Sequence, residues 1–239
     1  MSEAQVVERS SGPVTAQSLR AQISALGIAP GDVLLVHCSL SALGWVCGGA
    51  VAVVEALLGA VAPGGTVAMT AHSMDLSEPS AWSNPPVPAT WWSAIRAQMP
   101  AFDSQRTPTR KMGAVAELFR TWPEAVRSNH PTLAGVGHDR NTALHLAERR
   151  AFDARQARTR TGSPIVVGGR REWVEYEEPI ACVDDFAALG EAFEAAAGIR
   201  RSGAVRVMRL REIVDFGAQW LSAQRQPDGR PWTETSSAG

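Results

Sequence analysis

The stretch VLLVHCSLSALGWVCGGAVAVVEALLGAVAPGGTVAMT, residues 33–70, decides the predicted fold. It begins with a short apolar run of strand length, Val33–Val36, and passes through a polar, glycine-containing loop into an apolar helix from about Ala50 to Val61. Pro63 and two glycines end that helix, and a second strand follows over Thr66–Thr70. A strand, a helix and a second strand in this order form a βαβ unit, which implies that the two strands are parallel.

The rest of the chain extends this pattern to an α/β fold with a mixed, largely parallel central sheet and flanking helices. Further helices are predicted over about 15–26, 112–120, 141–151, 185–197 and 208–223, and further strands over 133–136, 165–167 and 172–180. Residues 75–109 are rich in proline and tryptophan and form a long loop-rich excursion, of a length that is often functional. We expect one domain over residues 1–224 and a polar C-terminal tail over residues 225–239.

The composition argues against several classes of protein. The chain has 239 residues, of which 45% are hydrophobic, and its formal net charge is −1, so no basic excess points to nucleic acid. The amino-terminal stretch lacks the apolar core of a signal peptide, and no apolar run is long enough to span a membrane. The three cysteines, Cys38, Cys47 and Cys182, form no CxxC pair, which argues against a structural zinc site and for a reduced, cytoplasmic protein.

Three of the five histidines, His37, His72 and His138, follow predicted strands. Ligands of open α/β sheets lie at the carboxyl ends of strands, so these histidines are candidate functional residues. On the helix after His138, His145 and Glu148 are three residues apart and face the same way, as a base and an orienting carboxylate would. The residues alone leave alternatives open. His145 could serve only in packing or helix capping, and Glu148 could lie on a solvated helix face. The histidines could also bind zinc, although the spacing is not that of an HExxH motif.

The segment LAGVGHDRNTALHLAE, residues 133–148, resembles the GVGHDSNTSLHLAE signature of the aminoglycoside 3-N-acetyltransferase family. Four further segments follow the pattern of that family: VHCSLSALG (36–44), FDSQRTPTRKMGAVAELFRTWPEAVRSNHP (102–131), REWVEYEEP (171–179) and DDFAALGEAFE (184–194). The resemblance covers nearly the whole chain. It implies transfer of an acetyl group from acetyl-coenzyme A to the 3-amino group of an aminoglycoside antibiotic, without a metal.

The resemblance also implies roles for particular residues. His138 corresponds to the histidine of the GVGH motif and is the implied general base, because an ammonium group must lose a proton before it attacks a thioester. Glu148 is the implied carboxylate near that base. The residues implied to bind acetyl-coenzyme A are His37, Ser39, Leu40, Ser41, Leu43, Thr107, Arg110 and Met112. Aminoglycosides are polycations, so their pocket is expected to be acidic, and its candidates are Asp75, Asp103, Glu175 and Glu177.

One segment of the family pattern has no counterpart in this sequence. In the family, a few tens of residues separate the H-P motif from the G-V-G-H motif, whereas here Thr132 runs straight into Leu133. The predicted strand before His138 is left with about four residues, which is short for a central strand. A truncated member that only binds aminoglycoside or coenzyme A is therefore the alternative to an active enzyme. The sequence leaves open whether the chain forms a homodimer.

Overall fold

The structure, a computed structural model, describes residues 2–131, 141–180, 182–196 and 199–230. The helices in these ranges are α1 (Glu3–Arg9), α2 (Ala16–Ala25), α3 (Gly49–Val61), α4 (Trp92–Gln98), α5 (Gly113–Phe119), α6 (Asn141–Phe152), α7 (Phe186–Ala196) and α8 (Leu210–Gln224). The strands are β1 (Val33–Val36), β2 (Thr66–Met69), β3 (Arg158–Val167), β4 (Arg170–Pro179), β5 (Arg200–Ser202) and β6 (Val205–Val207). The helices and strands predicted within the described ranges are present, whereas α1, α4, β5 and β6 were not predicted.

The βαβ unit predicted from residues 33–70 is confirmed. β1 and β2 are parallel, with Val33 opposite Thr66 and Val36 opposite Met69. α3 is apolar except for the exposed Glu55 and packs against α2, α5 and β2, and its buried residues form the first core with Leu19, Ile23 and Val67. A methyl group at Gly65 would lie 2.5 Å from the Val61 carbonyl oxygen, so only glycine fits where β2 begins.

The predicted largely parallel central sheet is not found among the described residues. Apart from one isolated parallel bridge between Val14 and Val46, parallel pairing there is limited to β1 and β2, because β3–β4 and β5–β6 are antiparallel hairpins. The physical reason is the connection between β3 and β4, which is only Gly168 and Gly169, both with positive φ. A two-residue turn of this kind joins antiparallel strands, whereas parallel strands need a long crossover. The predicted strand over residues 133–136 lies outside the described residues.

A second core joins α6, α7 and α8. Its buried residues include Leu144, Leu189 and Phe193, together with Ile213 and Leu221 on the predicted apolar stripe of α8. Gly217 lies on the same stripe, and a methyl group there would approach the Ala147 methyl group to 2.8 Å. The close crossing of α6 and α8 therefore depends on glycine at this position.

Two further predictions concern membrane-spanning helices and the C-terminal tail. Among the residues that the structure describes, no helix has the length and apolar character needed to cross a membrane. Within the predicted tail, the described residues 225–230 contact the body of the protein: the Ala157 N–H donates to the Asp228 carbonyl at 3.4 Å, and Gly229 lies against the Phe152 ring. The remaining tail residues, 231–239, lie outside the described residues.

Candidate active site

Two segments that lie far apart in sequence meet at the carboxyl end of β2. The backbone N–H of Arg110 donates to the His72 carbonyl oxygen at 2.7 Å, and the Ser73 hydroxyl donates to the Pro108 carbonyl oxygen at 2.6 Å. Ser73 and His72 are both buried. The loop over residues 107–112 is therefore fixed to the end of a parallel strand, where ligands of α/β proteins bind.

The loop after β1 joins the same region. Gly113 begins α5, and a methyl group at this glycine would lie 3.4 Å from the Cys38 carbonyl oxygen. Leu40–Leu43 form a 3-10 turn, preceded by Ser39, whose hydroxyl lies 3.4 Å from that of Ser41. The structure thus brings together the two segments that hold the eight coenzyme-binding candidates: His37, Ser39, Leu40, Ser41 and Leu43 on one side, and Thr107, Arg110 and Met112 on the other.

Glu117 of α5 anchors the second of these segments, a role that the sequence analysis missed. Its carboxylate accepts hydrogen bonds from the Thr109 N–H and hydroxyl, both at 2.7 Å, and from the Arg120 guanidinium at 2.5 and 2.9 Å. The hydrogen bonds from Arg120, followed by those from Thr109, lower the pKa of Glu117 to about 2. Glu117 therefore stays ionised at neutral pH and holds the loop next to Arg110.

The residues at the end of β1 offer neither a reactive thiol nor a metal cluster. Burial raises the pKa of the Cys38 thiol to about 11, so the thiol stays protonated at neutral pH and is a poor nucleophile. Within the described ranges, no group of three or more His, Cys, Asp or Glu side chains is arranged to hold a metal ion. The zinc alternative also needs His138, which lies outside the described residues.

Two substrate-binding candidates, Asp75 and Asp103, lie on the loop-rich excursion. The Asp75 carboxylate is 3.3 Å from the Arg110 guanidinium, and both side chains are more than half exposed. Asp103 accepts hydrogen bonds from the N–H groups of Gln105 and Arg106 at 2.8 and 3.0 Å. The bond from Arg106 and then that from Gln105 lower the pKa of Asp103. Asp75 thus lies beside a coenzyme candidate, and Asp103 shapes the turn that leads to the 107–112 loop.

The other two substrate-binding candidates, Glu175 and Glu177, share the exposed face of β4, as their alternation predicts. Each pairs with an arginine of β3: the Glu175 carboxylate with Arg160, and that of Glu177 with Arg158 at 4.0 Å. Tyr176 between them contacts Ser163 instead, with the two hydroxyl oxygens 3.1 Å apart. The charge of this face is therefore balanced by arginines that the sequence analysis did not consider.

The hairpin that carries Glu175 and Glu177 lies next to the turn at Asp103. The N–H of Phe102 donates to the Pro164 carbonyl of β3 at 2.8 Å. The guanidinium of Arg171 on β4 donates to the Met99 carbonyl at 3.0 Å and to the Arg96 carbonyl at the end of α4. The excursion and the hairpin are therefore joined at several backbone positions.

Glu148, the candidate carboxylate near the base, is buried in a charge cluster. Its oxygens lie 3.2 Å from His145 Nδ1, 2.5 Å from Arg225 Nη1 and 3.2 Å from the Cys182 backbone nitrogen. Burial by itself raises the pKa of Glu148, but the hydrogen bonds from His145, Arg225 and the Cys182 N–H outweigh it, so the pKa lies below its ordinary value. Glu148 and His145 share a helix face, as predicted. The candidate base, His138, lies outside the described residues.

Arg225 is the residue of this cluster that the sequence analysis missed. Its guanidinium is fully buried and also binds the Asp185 carboxylate at 2.6 and 2.8 Å and the Cys182 carbonyl at 2.9 Å. Burial lowers the pKa of Arg225, but the hydrogen bonds that it donates to the carboxylates of Asp185 and Glu148 raise the pKa by more, so the guanidinium is held in its charged form. Helical spacing does not reveal it, because Arg225 follows the last residue of α8 as its C-cap and has an extended backbone conformation.

Comparisons with known proteins identify the family. A family model described as aminoglycoside 3-N-acetyltransferase matches residues 35–134 and 133–222. The SPbeta prophage-derived aminoglycoside N(3′)-acetyltransferase-like protein YokD of Bacillus subtilis is 38% identical, over 90% of this chain and 95% of its own length. Aminoglycoside N(3)-acetyltransferase VIII of Streptomyces fradiae is 30% identical, over 94% of this chain and 97% of its own length.

Solved structures agree with these relatives. The crystal structure of YokD superimposes with a TM-score of 0.83 at 37% identity, over 91% of this chain and 96% of YokD. Sisomicin-bound AAC-VIa gives a TM-score of 0.75 at 25% identity, over 90% of this chain and all of AAC-VIa. The binary complex of AAC-IIIb with CoASH gives a TM-score of 0.69 at 25% identity, over 89% of this chain and 97% of AAC-IIIb. Fold and relatives together define an acyltransferase. The chain belongs to the aminoglycoside 3-N-acetyltransferase family.

The matches also bear on the segment that the sequence analysis finds missing. The alignment with YokD spans 261 positions, more than the 239 residues of this chain, so YokD holds residues that this chain lacks. The two matches to the family model meet at residues 133–134. This is the place where the H-P motif and the G-V-G-H motif of this sequence are nearly contiguous.

Proposed function

We propose that this chain transfers the acetyl group of acetyl-coenzyme A to the 3-amino group of aminoglycosides. The observation that carries the proposal is the meeting of residues 37–43 with residues 107–113 at the carboxyl ends of β1 and β2. The family resemblance implies coenzyme binding for residues of both segments. Support also comes from the names of the relatives, and from a structural relative that was solved with CoASH.

The side chains at this place suit a phosphate-bearing coenzyme. The Arg110 guanidinium is about half exposed and is held beside the end of β2 by its own backbone N–H. A guanidinium in this position offers several donors to phosphate oxygens, while the neighbouring backbone stays fixed. Leu40 and Leu43 of the 3-10 turn pack against the first core but are only partly buried, so they can also contact the non-polar part of the coenzyme.

The chemical step needs a base. The amine nitrogen of the substrate forms a bond to the acetyl carbonyl carbon, the carbon–sulfur bond of the thioester breaks, and the coenzyme leaves as a thiol. The amine loses one proton in this exchange, and the departing sulfur gains one. We assign the acceptance of the amine proton to His138. We assign to Glu148 the role of a carboxylate near that base, with a carboxylate that also binds Arg225 and His145.

The decisive assay mixes the purified protein with acetyl-coenzyme A and gentamicin. We expect stoichiometric release of free thiol and a product heavier by one acetyl group, with the new amide located at the 3-amino position by NMR. Omission of gentamicin is the control for thioester hydrolysis. A folded protein that releases no thiol contradicts the proposal and favours the binding-only alternative, which calorimetry with each ligand then tests.

Recognition of the polycationic substrate is expected to involve the β3–β4 hairpin. Replacing both Glu175 and Glu177 by glutamine leaves Arg158 and Arg160 without their partners, so the face becomes positive and repels the substrate. We expect KM for the aminoglycoside to rise roughly three- to tenfold, because exposed charge pairs are worth up to about 1 kcal/mol each. Steady-state kinetics measure this effect, and kcat is expected to change little.

The matched control for this pair is Glu172→Gln, since Glu172 is an exposed glutamate on the same strand. This substitution also makes the net charge of the protein more positive, but it leaves the ion pairs of Arg158 and Arg160 intact. An unchanged KM in the double variant, or an equal change in the control, places the acidic pocket elsewhere.

A further inference from the structure

We propose that Arg127 is a positioning residue for the coenzyme site. In this view its guanidinium sets the position of the loop over residues 104–112 relative to the end of β2. The inference rests on the proposed function, because it concerns the affinity of the site assigned there to coenzyme A. It adds a residue to which neither the sequence analysis nor the comparisons assign a role.

The contacts of Arg127 tie two segments together. One guanidinium nitrogen, Nη1, donates to the Thr107 carbonyl at 2.5 Å and to the Ser104 carbonyl at 3.4 Å. The other, Nη2, donates to the Ala71 carbonyl at 2.6 Å and to the Ser73 hydroxyl at 2.8 Å. The loop and the end of β2 are thus held by the two nitrogens of one side chain.

These contacts continue directly into the candidate site. Ser73, which accepts from Arg127, itself donates to the Pro108 carbonyl at 2.6 Å. Two residues further on, the Arg110 N–H donates to the His72 carbonyl at 2.7 Å. The loop is therefore attached to β2 at successive positions, and Arg127 supplies the attachment that lies before Pro108.

Arginine is the side chain that this position requires. Its four hydrogen bonds go to neutral oxygens, three carbonyls and one hydroxyl, which a planar fork with several donors reaches at once. The guanidinium also lies over the Phe102 ring, 5.0 Å from its centroid. Burial, and then the nearby charge of Arg120, lower the pKa of Arg127, yet an arginine stays charged at neutral pH. A lysine ammonium has only one nitrogen and cannot bind both the loop carbonyls and the oxygens of Ala71 and Ser73 in this geometry.

The expected consequence is a loss of coenzyme affinity with the chemistry intact. Thr107, whose carbonyl Arg127 binds, and Arg110 and Met112 after it are the coenzyme candidates on this loop. Arg127 itself touches the backbone rather than the proposed ligand. Removing its side chain is therefore expected to shift the loop without removing a group that takes part in the chemical step, so kcat at saturating acetyl-coenzyme A is expected to be retained.

The test compares Arg127 with Arg171, because both guanidinium groups donate to backbone carbonyls but in different parts of the protein. Arg171 also binds two backbone carbonyls, those of Met99 and Arg96, but on the other side of the excursion. We expect Arg127→Met to weaken the binding of coenzyme A, measured by calorimetry, by about tenfold or more, and Arg127→Lys to weaken it by less. Arg127→Met and Arg171→Met are both expected to lower the melting temperature. Arg171→Met, however, is expected to leave the Kd for coenzyme A within about twofold of the wild type.

The outcomes separate this inference from the proposed function. Wild-type protein that does not bind coenzyme A overturns both. Wild-type protein that binds it, with the same Kd in Arg127→Met and Arg171→Met, overturns only the role of Arg127. Where Arg127→Met does not fold, Arg127→Lys compared with Arg171→Lys decides the same question by the same measurement.

Discussion

Replacing Arg225 by methionine is expected to lower the free energy of unfolding by about 3–5 kcal/mol. The reason is the charge that it leaves behind, since the Glu148 side chain is only 2% exposed and loses a hydrogen-bonded partner at 2.5 Å. Asp185 loses two hydrogen bonds from the same guanidinium. Denaturation in urea, followed by circular dichroism, measures the change.

The chain offers a matched control, an exposed ion pair between α6 and α8. Arg150 of α6 pairs with Asp215 of α8 at 2.5 Å, but these side chains are 60% and 42% exposed. Arg150→Met is therefore expected to cost less than about 1 kcal/mol. Combining Arg225→Met with Glu148→Gln is expected to recover part of the loss, because the glutamine carries no buried charge. Similar small losses in both single variants contradict the account of Arg225 as the partner of a buried carboxylate.

Local patterns in the sequence predicted the elements of the fold well. The apolar run of β1, the glycines before β2 and the stripe of α8 are short-range signals, so their elements lie close to where they were predicted. The polar first half of β3 was missed, since RTRTGSP, residues 158–164, carries no apolar run. The larger error concerned the direction in which strands pair. The two glycines at residues 168–169 have positive φ values that favour a hairpin, so β3 and β4 are antiparallel rather than parallel.

The candidate site shows the same limit for charged residues. The sequence identified acidic residues but not their partners, and the structure places Asp75 beside Arg110 and Glu175 beside Arg160. Arg225 is the clearest case, because it lies 77 residues from Glu148 in sequence and was assigned to a polar tail. An ion pair of this range leaves no periodic signal, since either partner alone resembles an ordinary solvated charge.

Replacing His138 by alanine is expected to lower kcat for acetyl transfer by about 10²- to 10⁴-fold, the usual contribution of a general base. An aminoglycoside amine is largely protonated at neutral pH, and only its neutral form attacks the thioester. Without the base, the rate is expected to rise with pH as the neutral amine becomes more abundant. Thiol release between about pH 6 and pH 9 measures both effects in one experiment.

The shape of this pH profile separates a catalytic role from a structural one. A variant that is merely misfolded loses activity at every pH and binds coenzyme A poorly. A variant that lacks only the base keeps its affinity for coenzyme A and its melting temperature, and regains rate in alkaline solution. His138→Asn keeps a polar side chain but no basic nitrogen, so we expect it to behave as His138→Ala does. Wild-type turnover in either variant at neutral pH removes His138 from the mechanism, and the base must then be sought among the histidines at the ends of β1 and β2, His37 and His72.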